Sequence, residues 1–342
     1  MWLIYALGGG WGHLTRAIAL ARIAQRDRPV RILTNSPYAG IADSLPGFDM
    51  VALDARAPAE QTRAAVTREI AESRPSCLIV DTFPRGIGGE LAGVLGKLPA
   101  RKVLVHRDLN PRYVAAARLR EFVAAHYEMV LVPGAGEDYG VPAVLPPVRL
   151  PAARPSALHV TDPWLVRCAG EIPDRGRVKE LLRMEPNEER CILVCASGKE
   201  EELDWYGAVV SELIERSAVA VRCVAAERPP RCPEACWVRY WPAMDLFGCA
   251  AAVVGGAGYN TVEECVAWKV PLLARPWPRA YDRQELRAQR ASVRGRVTVV
   301  KEVEEAARAA IAQVGEGPAG LPEFVNGAEE AVERIGGLTL RS

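Results

Sequence analysis

Residues 253–264 read Val-Val-Gly-Gly-Ala-Gly-Tyr-Asn-Thr-Val-Glu-Glu, passing from an apolar run through glycines into a helical pattern. A strand ending at Val254, a tight turn and a helix opening near Asn260 account for that order. The same order opens the chain. Residues 2–7 are an apolar run, Gly8, Gly9, Gly10 and Gly12 follow, and residues 14–21 begin a helix. Short strands that are apolar on both faces need helices over both faces of a parallel sheet. Further strands are expected near 30–34, 50–53, 77–81, 102–106 and 129–132, with helices that include one after Gly89 to about Lys97 and one over 112–126. A second set is expected at 190–196, 219–225, 237–241, 270–274 and 297–300, with helices from 200 and over 302–314. The fold class is therefore α/β, built on doubly wound parallel sheets. The first glycine turn does not have the dinucleotide spacing, and Asn35-Ser36-Pro37 stands after the second strand where that motif carries an acid.

A length of 342 residues suits two domains. Pro142, Pro146, Pro147, Pro151 and Pro155 cluster between the two sets of strands and read as a stiff linker. The expected division is 1–152, 153–325 and a C-terminal helix in 326–342 that crosses back to the first domain. Formal net charge is +1, which gives no general attraction to nucleic acid. Lys and Arg outnumber Asp and Glu by 19 to 14 through residue 155, and are outnumbered 24 to 28 beyond it. A mildly basic first half suits an anionic acceptor or an anionic membrane surface, and fits chance equally well. The nine cysteines are scattered, mostly in apolar runs, and form no two-pair zinc pattern. They read as buried thiols in a reducing compartment, so the expected location is cytoplasmic, with peripheral contact at the inner membrane face left open. Residues 2–7 are too short for a signal peptide, and no window reaches the ~18–20 apolar residues of a membrane span.

The chemistry concentrates at the ends of strands. Backbone N–H groups at a helix N-terminus favour an anion, and glycines let a phosphate approach. Gly256, Ala257, Gly258, Asn260 and Thr261 form one such turn. Ser197 and Gly198, with Lys199 beside them, form a second. Glu264 sits one turn into its helix, where it can accept from a sugar hydroxyl. Asp282 and Gln284 lie in the loop beyond the strand at 270–274. Diphosphate, ribose and hexose could all be held by this set. In the first half, His13 stands at the mouth of a glycine turn, and Asp81 ends a strand in the same sheet. Neutral imidazole is a competent base at physiological pH.

The stretch 253–284 resembles the donor motif of GT-B glycosyltransferases. It is most similar to family 28, which includes the N-acetylglucosaminyltransferase of peptidoglycan synthesis. The residues that carry the likeness are Thr261-Val262, Glu264, Pro271 and Asp282-Arg283-Gln284; Glu285 stands where that pattern has a second Gln. The glycine turn leading to Gly12-His13 resembles the family's first loop, with Trp11 in place of a small residue. The loop from His106 to Asn110 resembles its His-Glu-x-Asn loop with one residue added. Asp81 is absent from family 28 and is similar to the Val-Asp-x-Phe acid of plant-type GT-B enzymes, which orients the catalytic His. Gly12-His13 with Arg16 also resembles a UDP-sugar hydrolase of flagellar sugar synthesis.

The resemblance implies a GT-B fold, two Rossmann-like domains facing a cleft. It implies that the second domain holds a nucleotide-sugar, a UDP-sugar, through the residues above, with the base near Trp241 and Met244. Gly10, Trp11, Gly12, His106 and Asn110 would meet an acceptor, a small molecule or a lipid-linked one. The implied reaction is inverting transfer with His13 as base and Asp81 beside it. With no Asp-x-Asp pair in sight, the scheme has no metal and no cofactor beyond the nucleotide-sugar co-substrate. Hydrolysis or epimerisation of a nucleotide-sugar, or binding without catalysis, remain as alternatives.

Overall fold

The computed structural model describes residues 1–40, 47–134, 157–316 and 322–339. The chain divides into two compact units. The first holds residues 1–166, 280–282 and 326–342, and the second holds 167–279 and 283–325.

The first unit runs β1 (Trp2–Ala6), α1 (Trp11–Ala24), β2 (Val30–Thr34), β3 (Asp49–Ala52), α2 (Ala59–Ser73), β4 (Cys77–Asp81) and β5 (Arg101–Val105). It continues through α3 (Pro111–Ala116), α4 (Leu119–His126), β6 (Met129–Pro133) and β7 (Ala157–Thr161). All seven strands are parallel, in the order β3-β2-β1-β4-β5-β6-β7. β1 and β4 are central, and every residue in them is buried. Such strands must be apolar on both faces, which is why Trp-Leu-Ile-Tyr-Ala and Cys-Leu-Ile-Val-Asp show no alternation.

The second unit runs α5 (Arg175–Leu181), β8 (Cys191–Cys195), α6 (Glu200–Arg216), β9 (Ala220–Val224), β10 (Trp237–Val238) and β11 (Ala250–Gly256). α7 (Tyr259–Trp268), β12 (Leu272–Arg275), α8 (Gln284–Arg294), β13 (Val297–Val299) and α9 (Val303–Ala312) complete it. Its six strands are again parallel, in the order β10-β9-β8-β11-β12-β13. The core on one face packs Val209, Val210 and Leu213 of α6 with Ala306, Ala307 and Ala310 of α9 over Val194 and Val254. The chain ends in α10 (Gly327–Thr339), which belongs to the first unit and packs on α1.

Several expectations need correction. The first sheet does not end at 132 but gains β7, so the first unit continues to Val166, past the expected boundary at 152. The helix expected after Gly89, to about Lys97, is a run of turns; Gly86 and Gly89 before it take φ of +82° and +81°, and Glu90 at its start is turned back onto Gly88 N–H and the Tyr5 hydroxyl. The helix expected over 112–126 breaks into α3 and α4 at Arg118, where φ is +47°. The strand expected over 237–241 is confined to Trp237 and Val238. The proline cluster, Pro142, Pro146, Pro147, Pro151 and Pro155, lies wholly outside the described residues. Among the described residues, no helix is long and apolar enough to cross a membrane.

Candidate functional site

In an open parallel sheet, ligands collect beyond the carboxyl ends of the strands, where strand order reverses. In the first unit the reversal falls between β1 and β4. The turn after β1 carries His13 in the first turn of α1, and β4 ends in Asp81. His13 Nδ1 lies 2.5 Å from Asp81 Oδ2. Arg16, buried on the same helix face, donates from Nε to Asp81 Oδ1 at 2.9 Å and from Nη2 to Oδ2 at 2.7 Å. Burial alone would raise the Asp81 pKa, but Arg16 and His13 overcome it and hold the carboxyl well below the usual carboxylate range. Asp81 is therefore an acceptor only. The proton between it and the ring must sit on Nδ1, which leaves a lone pair on Nε2. Among the described residues nothing hydrogen-bonds to Nε2.

The glycine turn serves this ring. The N–H groups of Gly8 and Gly9 both donate to Asn35 Oδ1 at 2.9 Å, so those two donors are already engaged by the chain. A Cβ on Gly8 would stand 2.1 Å from His13 Cδ2, so the imidazole lies flat over a position that must be glycine. Gly10 caps α1 in an extended conformation and Gly12 sits in its first turn. Trp11 stacks on Tyr38 with centroids 4.3 Å apart. Beyond His13 runs a line of rings: Phe83 at 5.5 Å from the imidazole, Tyr281 at 5.5 Å from Phe83 and Tyr113 at 4.8 Å from Tyr281. Asn110 donates its N–H to Tyr281 O, and its side chain caps α3 by accepting from Arg112 N. His106 is buried, with its N–H on Leu131 O, and its side chain has little surface to offer an acceptor.

In the second unit the reversal falls between β8 and β11. The turn after β11 leads into α7, whose N-cap is Gly258, with no side-chain cap and no acid in the first turn. Its leading N–H groups therefore retain the partial positive charge of a helix start. Asn260 Oδ1 is buried there without a hydrogen bond. Thr261 is half-buried one residue further. Gly256 is closely packed, since a Cβ there would approach Tyr206 Oη to 3.2 Å. Ala257 is fully committed: its N–H donates to Arg275 O and its carbonyl accepts from Arg287.

Glu264 is buried on α7, and among the described residues no hydrogen bond or ion pair reaches its carboxyl. Desolvation, with the Asp245 charge adding to it, pushes its pKa up to about 8. Asp245 is itself clamped by Arg167, Nε to Oδ1 at 2.9 Å and Nη2 to Oδ2 at 2.8 Å, and by the Tyr240 hydroxyl at 3.0 Å. Met244 is fully buried beside it, and Trp241 is half-buried. Gln284 accepts from Trp277 N at 2.9 Å. Asp282 pairs in an isolated bridge with Leu109, and residues 280–282 group with the first unit rather than with the strand that precedes them.

The turn after β8 differs from that after β11. Ser197 and Gly198 are exposed, and the first turn of α6 holds Glu200, Glu201 and Glu202. Gly198 has φ +123°, and a Cβ there would fall 2.0 Å from the Glu202 carboxylate, which Arg279 clamps with two bonds of 2.7 Å. This helix start already carries its own anions.

Sequence reading noted Arg16 only within a resemblance and gave it no role in the site, although its spacing of three from His13 puts both on one helix face. It also missed Thr82 and the Arg167–Asp245 clamp, whose partners are 78 residues apart.

No family model matches the sequence, and no curated protein matches it. Solved structures do. The spinosyn forosaminyltransferase SpnP aligns at TM-score 0.60 and 15% identity over 99% of each chain. MurG from Acinetobacter baumannii aligns at 0.53 and 13%, over 98% of this chain and 99% of its own. A UDP complex of MnaA from S. aureus aligns at 0.61 and 12%, over 99% and 97%. At such identities the likeness is one of fold. The chain has the GT-B fold, with two parallel-sheet units.

Proposed function

We propose that the protein is an inverting glycosyltransferase that moves a sugar from a nucleotide-sugar, a UDP-sugar, to an acceptor hydroxyl, with His13 as general base. The observation that carries the reading is the 2.5 Å contact between His13 Nδ1 and an ionised Asp81. It leaves Nε2 as the basic atom at the switch point of the first sheet. His13 Nε2 takes the hydroxyl proton as the acceptor oxygen bonds to C1 of the sugar. The C1–O bond to the diphosphate breaks, and its electron pair leaves with the nucleoside diphosphate. Asp81 stabilises the imidazolium that forms, and the open start of α7 meets the charge growing on the leaving group.

Glu264 suits a ribose diol. Protonated below about pH 8, it offers both a donor and an acceptor from a dry site. Asn260, Thr261, Gln284 and Asp282 are assigned to the rest of the donor, with the base near Trp241. The contrast between the two helix starts favours the turn at 256–261 over Ser197-Gly198 as the principal diphosphate contact. Among the described residues, no group of three His, Cys, Asp or Glu is set to hold a metal ion. The scheme uses no cofactor besides the co-substrate.

The test is UDP release from a panel of UDP-sugars with candidate acceptors, comparing the native protein with His13→Ala. A general base contributes ~10²–10⁴-fold, and a loss of that size is expected. Turnover that His13→Ala leaves intact would sink the assignment. Hydrolysis is the second reading, because the same dyad can deprotonate water.

A further inference from the structure

His13 and Asp81 are only part of a buried constellation. Arg16 is 4% exposed and meets the Asp81 carboxylate with a two-point fork. Its Nη2 also donates to Thr82 Oγ1 at 3.1 Å, and that hydroxyl donates to Asp81 Oδ2 at 3.2 Å. Thr82 holds this position with φ +68°, a region that β-branched residues rarely enter. Backbone strain of this kind persists where surrounding contacts over-determine it. Asp81 Oδ2 thus receives three donors: His13 Nδ1, Arg16 Nη2 and Thr82 Oγ1.

Arg16 Nη2 also stands 3.5 Å from His13 Nδ1. Both atoms are donors toward the same oxygen, so neither accepts from the other. Among the described residues, the charged groups that contact the imidazole are Asp81 at the end of β4 and Arg16 on α1. Phe83 beyond β4, Gly8 after β1 and Asn35 after β2 bring no charge.

We infer that Arg16 is the positioning residue of this site: its fork fixes the Asp81 carboxylate so that Oδ2 faces Nδ1 and the ring is held with its proton on that atom. Only that tautomer keeps the Nε2 lone pair that a base needs. Thr82 completes the clamp. The catalytic meaning rests on His13 as the base of the proposed reaction; the effect on the ring itself does not.

The experiment is nitrogen NMR of protein labelled at its four histidines, with His13→Ala assigning the His13 signals. It compares native protein with Arg16→Gln and Arg16→Lys, each checked for a native-like melt. Neutral native His13 should carry its proton on Nδ1. Arg16→Gln should mix the tautomers. Arg16→Lys, which keeps the charge but not the fork, should mix them too. In a turnover assay kcat should fall in both variants with KM little changed. A native ring protonated on Nε2 overturns the inference even if no variant folds. So does a folded Arg16→Gln whose His13 tautomer matches the native protein. If native protein shows no turnover, the enzymatic reading fails and the NMR result still decides the role of Arg16.

Discussion

Replacing Glu264 by glutamine removes one titration and keeps the shape of the side chain. In the folded chain the Glu264 carboxyl stays protonated up to about pH 8. An unfolded glutamate ionises near pH ~4.3. Between those values the unfolded chain releases a proton that the folded chain retains. The unfolded state therefore gains, and native stability falls as pH rises, by about 1.4 kcal/mol per unit. Below about pH 4 both states hold the proton and the effect vanishes; above about pH 8 both have lost it and the effect is complete. Over three units of that window the sum is about 4 kcal/mol, an order-of-magnitude figure for one buried group. Glutamine has no such window. Denaturant midpoints of native protein and Glu264→Gln, measured from about pH 4.5 to about pH 8.5, should diverge steadily, with the variant gaining on the native protein as pH rises. Every other titrating group is common to both proteins and drops out of the difference. Parallel curves would refute the reasoning, because they would mean that Glu264 ionises in the native fold as it does in water.

Other perturbations follow from single contacts. Gly8→Ala drives a methyl into the His13 ring and should cost ~10²–10⁴-fold in turnover, as much as losing the base, with UDP binding retained. Gly93→Ala, at an exposed turn position where a Cβ meets nothing within 4 Å, should leave turnover near native in the same assay. Arg167→Ala leaves Asp245 buried with half its clamp gone and should destabilise the second unit by about 3–5 kcal/mol in denaturant melts.

The architecture was legible because buried parallel strands leave a plain signature. Residues 2–7 and 77–81 have no polar position before the strand ends, and both proved central in one sheet. β7 was less so, because it follows a stretch without periodicity, and its place at the sheet edge is a matter of long-range pairing with β6. The failed helix between Gly89 and about Lys97 shows local propensity overridden. Glu90 is drawn inward by Gly88 N–H at 2.7 Å and by the Tyr5 hydroxyl, 85 residues away. For the site, types and strand-end positions could be read, but not commitments. Nothing in the sequence says that the Ala257 backbone is engaged on both sides, that Glu202 occupies the flank of Gly198, or that residues 280–282 belong with the first unit. Those facts depend on partners brought together only by the fold.

The most direct test of the central claim is product analysis of a UDP-sugar panel incubated with the pure protein, EDTA and no acceptor, beside His13→Ala and Glu264→Ala. A transferase should bind one UDP-sugar saturably, lose affinity in Glu264→Ala and turn over little until an acceptor hydroxyl is supplied. Rapid, His13-dependent release of UDP and free sugar from the donor alone would contradict it and make the protein a hydrolase.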